Sequence, residues 1–182
     1  PSTSGDKVAS ICGFASGKLL LSIFAQGIFI FDPVTGNKQP FTIIDKEVNE
    51  RLCLHGNTVN VYRNTPNTIL LLGNHVYCYH LKEKQFSIVS EEKGINIIEG
   101  SLKAIACDGH STYLNDIKHV YELDNHSNRL RVLFTAQDDM NINSVSMDES
   151  GCFWIGSNLG LVSYRPATQK QKMISTSLFT EV

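Results

Sequence analysis

The chain has 182 residues, with 16 Lys and Arg against 18 Asp and Glu and a formal net charge of −2. Capture of a polyanion needs a clustered basic footprint, and here the basic residues are scattered between turns and strand edges, so nucleic acid is disfavoured as a partner. The longest apolar stretch, 19–31, is 13 residues and is interrupted by Ser22, Gln26 and Gly27, whereas a spanning helix needs about 20.

The chain opens on Pro1 rather than Met and shows no signal-peptide pattern, as expected of an N-terminus that has been cut. Residues 8–12 (VASIC) alternate, the pattern of a strand with unlike faces. A polar turn at Ala15-Ser-Gly17 follows, then two dense apolar runs at 19–21 and 28–31, the turn Asp32-Pro-Val-Thr-Gly36 and an outer strand near Phe41. Strands buried on both faces lose their alternation, so the two middle runs predict a sheet sandwiched between neighbours. Helical periodicity is short everywhere; 45–54 is the best place for a helical turn.

The same order then recurs. Residues 58–62 alternate, Asn64-Thr-Pro-Asn67 turns, 69–72 and 76–79 are apolar, and 86–89 forms the outer strand. Next come 102–106, the turn Asp108-Gly-His110, the run at Tyr113-Leu114, and an outer strand over 130–134. Last come 142–146, Asp148-Glu-Ser-Gly151, Trp154, the turn Arg165-Pro-Ala-Thr168 and an outer strand near Met173 and Ile174. Gly, Asn and Asp tolerate the positive φ of tight hairpins, which gives these turns a mechanism.

Laid over each other, the first and fourth copies align Gly17 with Gly151, Phe31 with Tyr164, Pro33 with Pro166 and Thr35 with Thr168, with one residue inserted before Gly27. The last residues of the third strands, Phe31, Tyr79, Leu123 and Tyr164, follow one another by 48, 44 and 41 residues. A period of about 40 to 50 residues with four strands per unit is the signature of β-propeller blades. The expected fold is therefore all-β, a propeller fragment of about four four-stranded antiparallel blades. The whole of 1–182 reads as one segment with blades over 8–48, 56–92, 101–138 and 142–180. The middle copies depart from the pattern: Leu70 stands in place of Trp154, and His119 occupies the position of Gly160.

No catalytic fingerprint is present: no G-x-G-x-x-G, P-loop, H-E-x-x-H or G-x-S-x-G. Gly156-Ser-Asn-Leu-Gly160 has the wrong spacing for a nucleophile elbow and reads as a strand end and turn. Asp148-Glu149 reads as a turn with one capping carboxylate, since adjacent strand residues point to opposite sides. Cys12, Cys53, Cys78, Cys107 and Cys152 are odd in number and lack a C-x-x-C pair, so they read as buried or strand-end thiols. His55, His75, His80, His110, His119 and His126 are not spaced as metal ligands on one element. Neither metal nor cofactor is expected. Asn125-His-Ser127 spells a glycosylation sequon but reads as a hairpin turn. Trp154 could stack on a sugar ring, yet its alignment with Leu20 and Leu70 places it in the packed interior between blades.

Residues 145–161, Val-Ser-Met-Asp148-Glu-Ser-Gly151-Cys-Phe-Trp154-Ile-Gly156-Ser157-Asn-Leu-Gly160-Leu, resemble the two-component regulator propeller repeat. Its hallmark is an Asp, a turn Gly, W-I-G-T and a G-L pair; Ser157 replaces the usual Thr. The resemblance is strong over 142–165, fair over 8–32 and faint between. It implies the periplasmic, ligand-receiving region of a hybrid two-component histidine kinase of Bacteroidetes type, an inner-membrane protein typically responding to glycans, with the kinase downstream. It also implies a ring of about seven blades, of which this chain is a slice, so further blades of the same chain would be partners. Apolar blade faces left in water drive association at about 25 cal/mol per Å², which predicts a homo-oligomer through the end blades or a small closed ring.

Propellers of this kind bind ligand on the face carrying the loops into the first strand and between the second and third strands. Mapped by topology, the candidates are Asn57, Asn74, His75, Asp116, Lys118, Asn141 and Asn158. The expected role is non-enzymatic sensing of a small, carbohydrate-derived ligand. An interaction scaffold and a propeller lyase or hydrolase are the rivals.

Overall fold

In the computed structural model residues 7–41, 59–73, 75–97 and 102–174 are described. Asn57, Asn74, Cys53, Thr58 and the helical turn expected over 45–54 lie outside them. The chain divides into two compact units, Pro1–Val89 and Ser90–Val182.

The first unit holds two antiparallel sheets of four strands, each in simple chain order. One consists of β1 (Val8–Gly13), β2 (Leu19–Ile23), β3 (Gly27–Phe31) and β4 (Lys38–Pro40). The other consists of β5 (Asn60–Thr65), β6 (Thr68–Leu72), β7 (Val76–His80) and β8 (Gln85–Ile88). Leu20, Ile28 and Phe41 pack against Val59, Val61, Ile69, Leu71, Tyr77 and Tyr79. The seam between the sheets is also pinned by polar contacts: the Val61 N–H donates to Ser10 Oγ at 2.8 Å. Continuous apolar runs such as 69–72, which is essentially inaccessible to solvent, are what such two-sided packing requires.

The second unit has the same plan with one addition. Strands β10 (Lys103–Cys107), β11 (Ser111–Asn115), β12 (His119–Asp124) and β13 (Arg129–Thr135) form the expected meander. A fifth strand, β9 (Ser90–Glu91), then pairs in parallel with β13. The second blade, expected to run to 92, therefore gives up Ser90 and Glu91 to the next sheet. The last sheet is β14 (Ile142–Met147), β15 (Phe153–Ser157), β16 (Gly160–Arg165) and β17 (Lys170–Ile174). Val120, Phe134, Ala136 and Met140 pack against Ile142, Phe153, Ile155, Val162 and Tyr164. Tyr113 meets Phe153 edge-on and the Tyr164 hydroxyl donates to the Leu133 carbonyl at 2.6 Å.

Backbone detail repeats as well as order. The register of β1 shifts between Val8 and Ser10, and that of β14 between Ile142 and Ser144, the aligned places. Gly27 and Gly160 both open a third strand with positive φ, 106° and 129°, a region that only glycine enters without cost. All-β architecture in four consecutive blade-like sheets is thus the observed fold. One expectation needs correcting: Trp154 is not interior. It is 38 % exposed, because alternate residues of β15 look opposite ways, and Phe153 and Ile155 take the side facing β10–β13. No described strand covers the other side.

Candidate functional site

Four of the candidate positions meet at one edge of the second unit, and the network starts from a buried charge. Asp116 directly follows β11 and is fully inaccessible. Its Oδ1 accepts the Lys118 and His119 backbone N–H groups at 2.7 and 2.6 Å, the turn geometry in which Asp substitutes for a backbone acceptor. Its Oδ2 accepts the Tyr121 hydroxyl at 2.6 Å. His119 Nδ1 lies 3.3 Å from Oδ1 and 3.1 Å from the Tyr121 oxygen. Burial, and then the neighbouring carboxylate, push the Tyr121 phenol well above its ordinary range, so it stays a donor. With that proton on Asp116, the Tyr121 oxygen and the carboxylate both accept, so in the neutral ring the Nδ1 of His119 carries the proton and Nε2 keeps its lone pair.

From the same loop Lys118 reaches across to the connection between β13 and β14. Its ammonium donates to the Asp138 and Met140 carbonyls at 2.8 and 2.7 Å. On the far side Asn158 closes the loop: its Oδ1 accepts the Asn141 N–H at 2.5 Å and its amide donates to the Asp139 carbonyl at 2.9 Å. Two backbone bonds, Ala136 N–H to Lys118 O and Ile142 N–H to Ile117 O, complete the frame. Asp116, Lys118 and Asn158 therefore spend their polar groups on protein. Together they hold a loop whose Gln137, Asp138, Asp139 and Asn141 are exposed.

Gln137, Asp138 and Asp139 were not singled out from the sequence, since nothing in the string says that the turns at 116–118 and 158–159 converge on 136–141. His75 belongs to the first unit, half-buried just before β7 with its ring edge-on to Tyr77 at 6.4 Å. Among the described residues no three His, Cys, Asp or Glu side chains are grouped to hold a metal ion.

The turns elsewhere use the same Asp device. Asp32 accepts the Val34 and Thr35 N–H groups, and Asp124 those of His126 and Ser127. Asp148 takes Ser150 and Cys152 N–H on Oδ1 and the Trp154 indole N–H on Oδ2 at 2.8 Å. Hydrogen bonds from the Ser150 hydroxyl and the Trp154 indole hold the Asp148 carboxyl well below the usual range. The Cys12 and Cys78 thiols are pushed up to about 11 by burial, which leaves them protonated and unreactive.

No protein-family model and no curated protein matches the chain. Solved structures do. The extracellular domain of one hybrid two-component system of B. thetaiotaomicron superposes with a TM-score of 0.69 at 17 % identity, covering 96 % of this chain and 23 % of that one. A second from the same organism gives 0.68 at 15 % identity, covering 94 % and 25 %. Virginiamycin B lyase of Staphylococcus aureus gives 0.64 at 7 % identity, covering 93 % and 56 %. The chain spans about a quarter of the two extracellular domains. Among the described residues no helix is long and apolar enough to cross a membrane. The chain is similar in fold, over nearly all its length, to the extracellular propeller regions of hybrid two-component systems.

Proposed function

We propose that this chain is a segment of the periplasmic, ligand-sensing propeller of a two-component sensor histidine kinase, non-enzymatic in itself, and that its four sheets are consecutive blades completed by further blades of the same protein. The likeness to extracellular domains of such systems supports this reading. So does the 142–165 repeat. The observation that carries the ligand assignment is the pinned loop at 136–141. The ammonium of Lys118 and the amide of Asn158 are consumed in fixing it, and what it then offers is an exposed row of Gln137, Asp138, Asp139 and Asn141. Amides and carboxylates on a preorganised loop suit a polyol whose hydroxyls donate and accept in turn, hence a small carbohydrate.

The test is thermal shift of the chain, and of the propeller containing it, against a set of defined oligosaccharides. One class should raise the unfolding midpoint, and Asn141→Ala combined with Asp139→Ala should abolish that rise while leaving the unliganded midpoint within a few degrees. Equal shifts in wild type and the double variant would place the ligand elsewhere. An absence of any shift in the complete propeller would remove the carbohydrate.

A further inference from the structure

The fifth strand of the third blade shows how an outer edge of this fold takes on a partner. β9 lies along β13 in parallel, Ser90 beside Arg129 and Glu91 beside Leu130. The Ser90 N–H donates to the Asn128 carbonyl at 3.0 Å and the Glu92 N–H to the Leu130 carbonyl at 3.2 Å. Arg129 pairs with Glu92 at 3.6 Å. The docked segment is acidic and the edge that receives it is basic.

The outer strand of the fourth blade has the same build. Leu123 pairs with Leu130 and Tyr164 with Gln171, so Arg129 and Arg131 of β13 correspond to Lys170 and Lys172 of β17. Each strand is entered from a residue in the left-handed region, Asn128 at φ 55° and Gln169 at φ 52°. The carbonyls that β9 uses, those of Asn128 and Leu130, therefore correspond to those of Gln169 and Gln171. Lys170, Gln171, Lys172 and Met173 are exposed, and among the described residues β17 pairs with β16 alone.

The charges opposite the two strands differ. On the third blade Glu122 stands across from Arg131 and Asp124 across from Arg129, and Glu122 bonds the Arg131 guanidinium. On the fourth blade those places hold Ser163 and Arg165. The β17 edge thus carries Lys170 and Lys172, with Arg165 of β16 opposite Lys170 and no acid at the equivalent positions. An unpaired edge is a template for strand addition, and this one has a basic strip to select what is added.

We propose that the β17 edge binds an acidic extended peptide strand, added in parallel as β9 is added to β13. The occupant is a segment with two acidic residues in a row, reading like Ser90-Glu91-Glu92, and its backbone donors meet the Gln169 and Gln171 carbonyls. This interaction surface is separate from the loop at 136–141.

The experiment uses the full chain and a fluorescein-labelled peptide, Ser-Ile-Val-Ser-Glu-Glu-Lys-Gly, the sequence of 87–94. Anisotropy should report saturable, salt-sensitive binding. Lys170→Glu with Lys172→Glu should weaken it by about ten-fold or more, as for charges across a docking surface. The peptide with both Glu changed to Lys should bind that variant better than it binds wild type. N-methylation of the second Glu removes the donor meant for Gln171 and should weaken binding to wild type by a similar factor, which charge alone would not do. All the substituted side chains are solvent-facing; should the Glu variant unfold, Lys170→Gln with Lys172→Gln serves in its place. Undiminished binding to the lysine variants means that the peptide has exchanged with β9 or adheres nonspecifically, and it overturns the proposal. So does equal binding by a scrambled peptide of the same charge.

Discussion

Single carboxylates do most of the positioning in this protein, and two of them behave differently enough to be told apart by experiment. Asp148 caps an exposed turn and its folded pKa is depressed. A depressed carboxylate contributes stability above its unfolded value, near 3.9, and loses it as pH falls through the folded one. Thermal unfolding followed from about pH 6 down to pH 2 should therefore show a smaller acid loss for Asp148→Asn than for wild type. The indole of Trp154 should report the same change by fluorescence, since its N–H bonds that carboxylate. Asp116 differs in its surroundings: it is wholly buried and accepts the Lys118 and His119 N–H groups and the Tyr121 hydroxyl. Asp116→Ala leaves two backbone donors and a phenol without their acceptor and should cost about 3 kcal/mol by denaturant unfolding, against about 1 for Tyr121→Phe. The role of Asp148 was legible because an Asp three residues before a Gly is a turn former by chemistry alone. The burial of Asp116 was not, since a charged residue between two strands reads first as solvated. Trp154 misled for a related reason: apolarity says that a residue prefers cover, but only the neighbouring sheet decides which side of a strand receives it.

At the scale of strands and turns the hairpins were read with small shifts, such as β10 starting at Lys103 rather than Leu102. Period-two alternation and Gly or Asp turns are local signals, and hairpins are local structures. Gly160 illustrates the precision available. It opens β16 after a two-residue turn at φ 129°, whereas the third blade uses the longer connection 116–118 and seats His119 there without a glycine. Gly160→Ala should lower stability by about 1–3 kcal/mol in denaturant unfolding. The same substitution at Gly13, whose φ is not positive, should cost less. β9 was invisible in the sequence. Two polar residues carry no alternation, and their partner is a strand formed far downstream by a parallel contact that no turn signals. The candidate loop was half legible for the same reason: topology named Asp116, Lys118, Asn141 and Asn158, but only the folded backbone shows that their bonds converge on 136–141.

For the molecule as a whole, the repeat period fixed the architecture because each blade must cover its neighbour. The first sheet leaves Val8, Ile11 and Phe24 exposed, and the last leaves Trp154, Leu159 and Met173. Apolar area of this kind gains about 25 cal/mol per Å² when covered. Light scattering of the chain at tens of micromolar should give a mass above the monomer, decreasing when Trp154 and Met173 are both changed to Ser; a strictly monomeric open chain would contradict it. The pairing of β9 with β13 has a temporal consequence as well. Residues 90 and 91 leave the ribosome long before 129 and 130, so their hydrogen-bonding edge does not exist when they emerge. The third sheet is therefore closed by its oldest piece joining its youngest, and a nascent chain halted before residue 130 would present that acidic tail to whatever basic edge lies within reach.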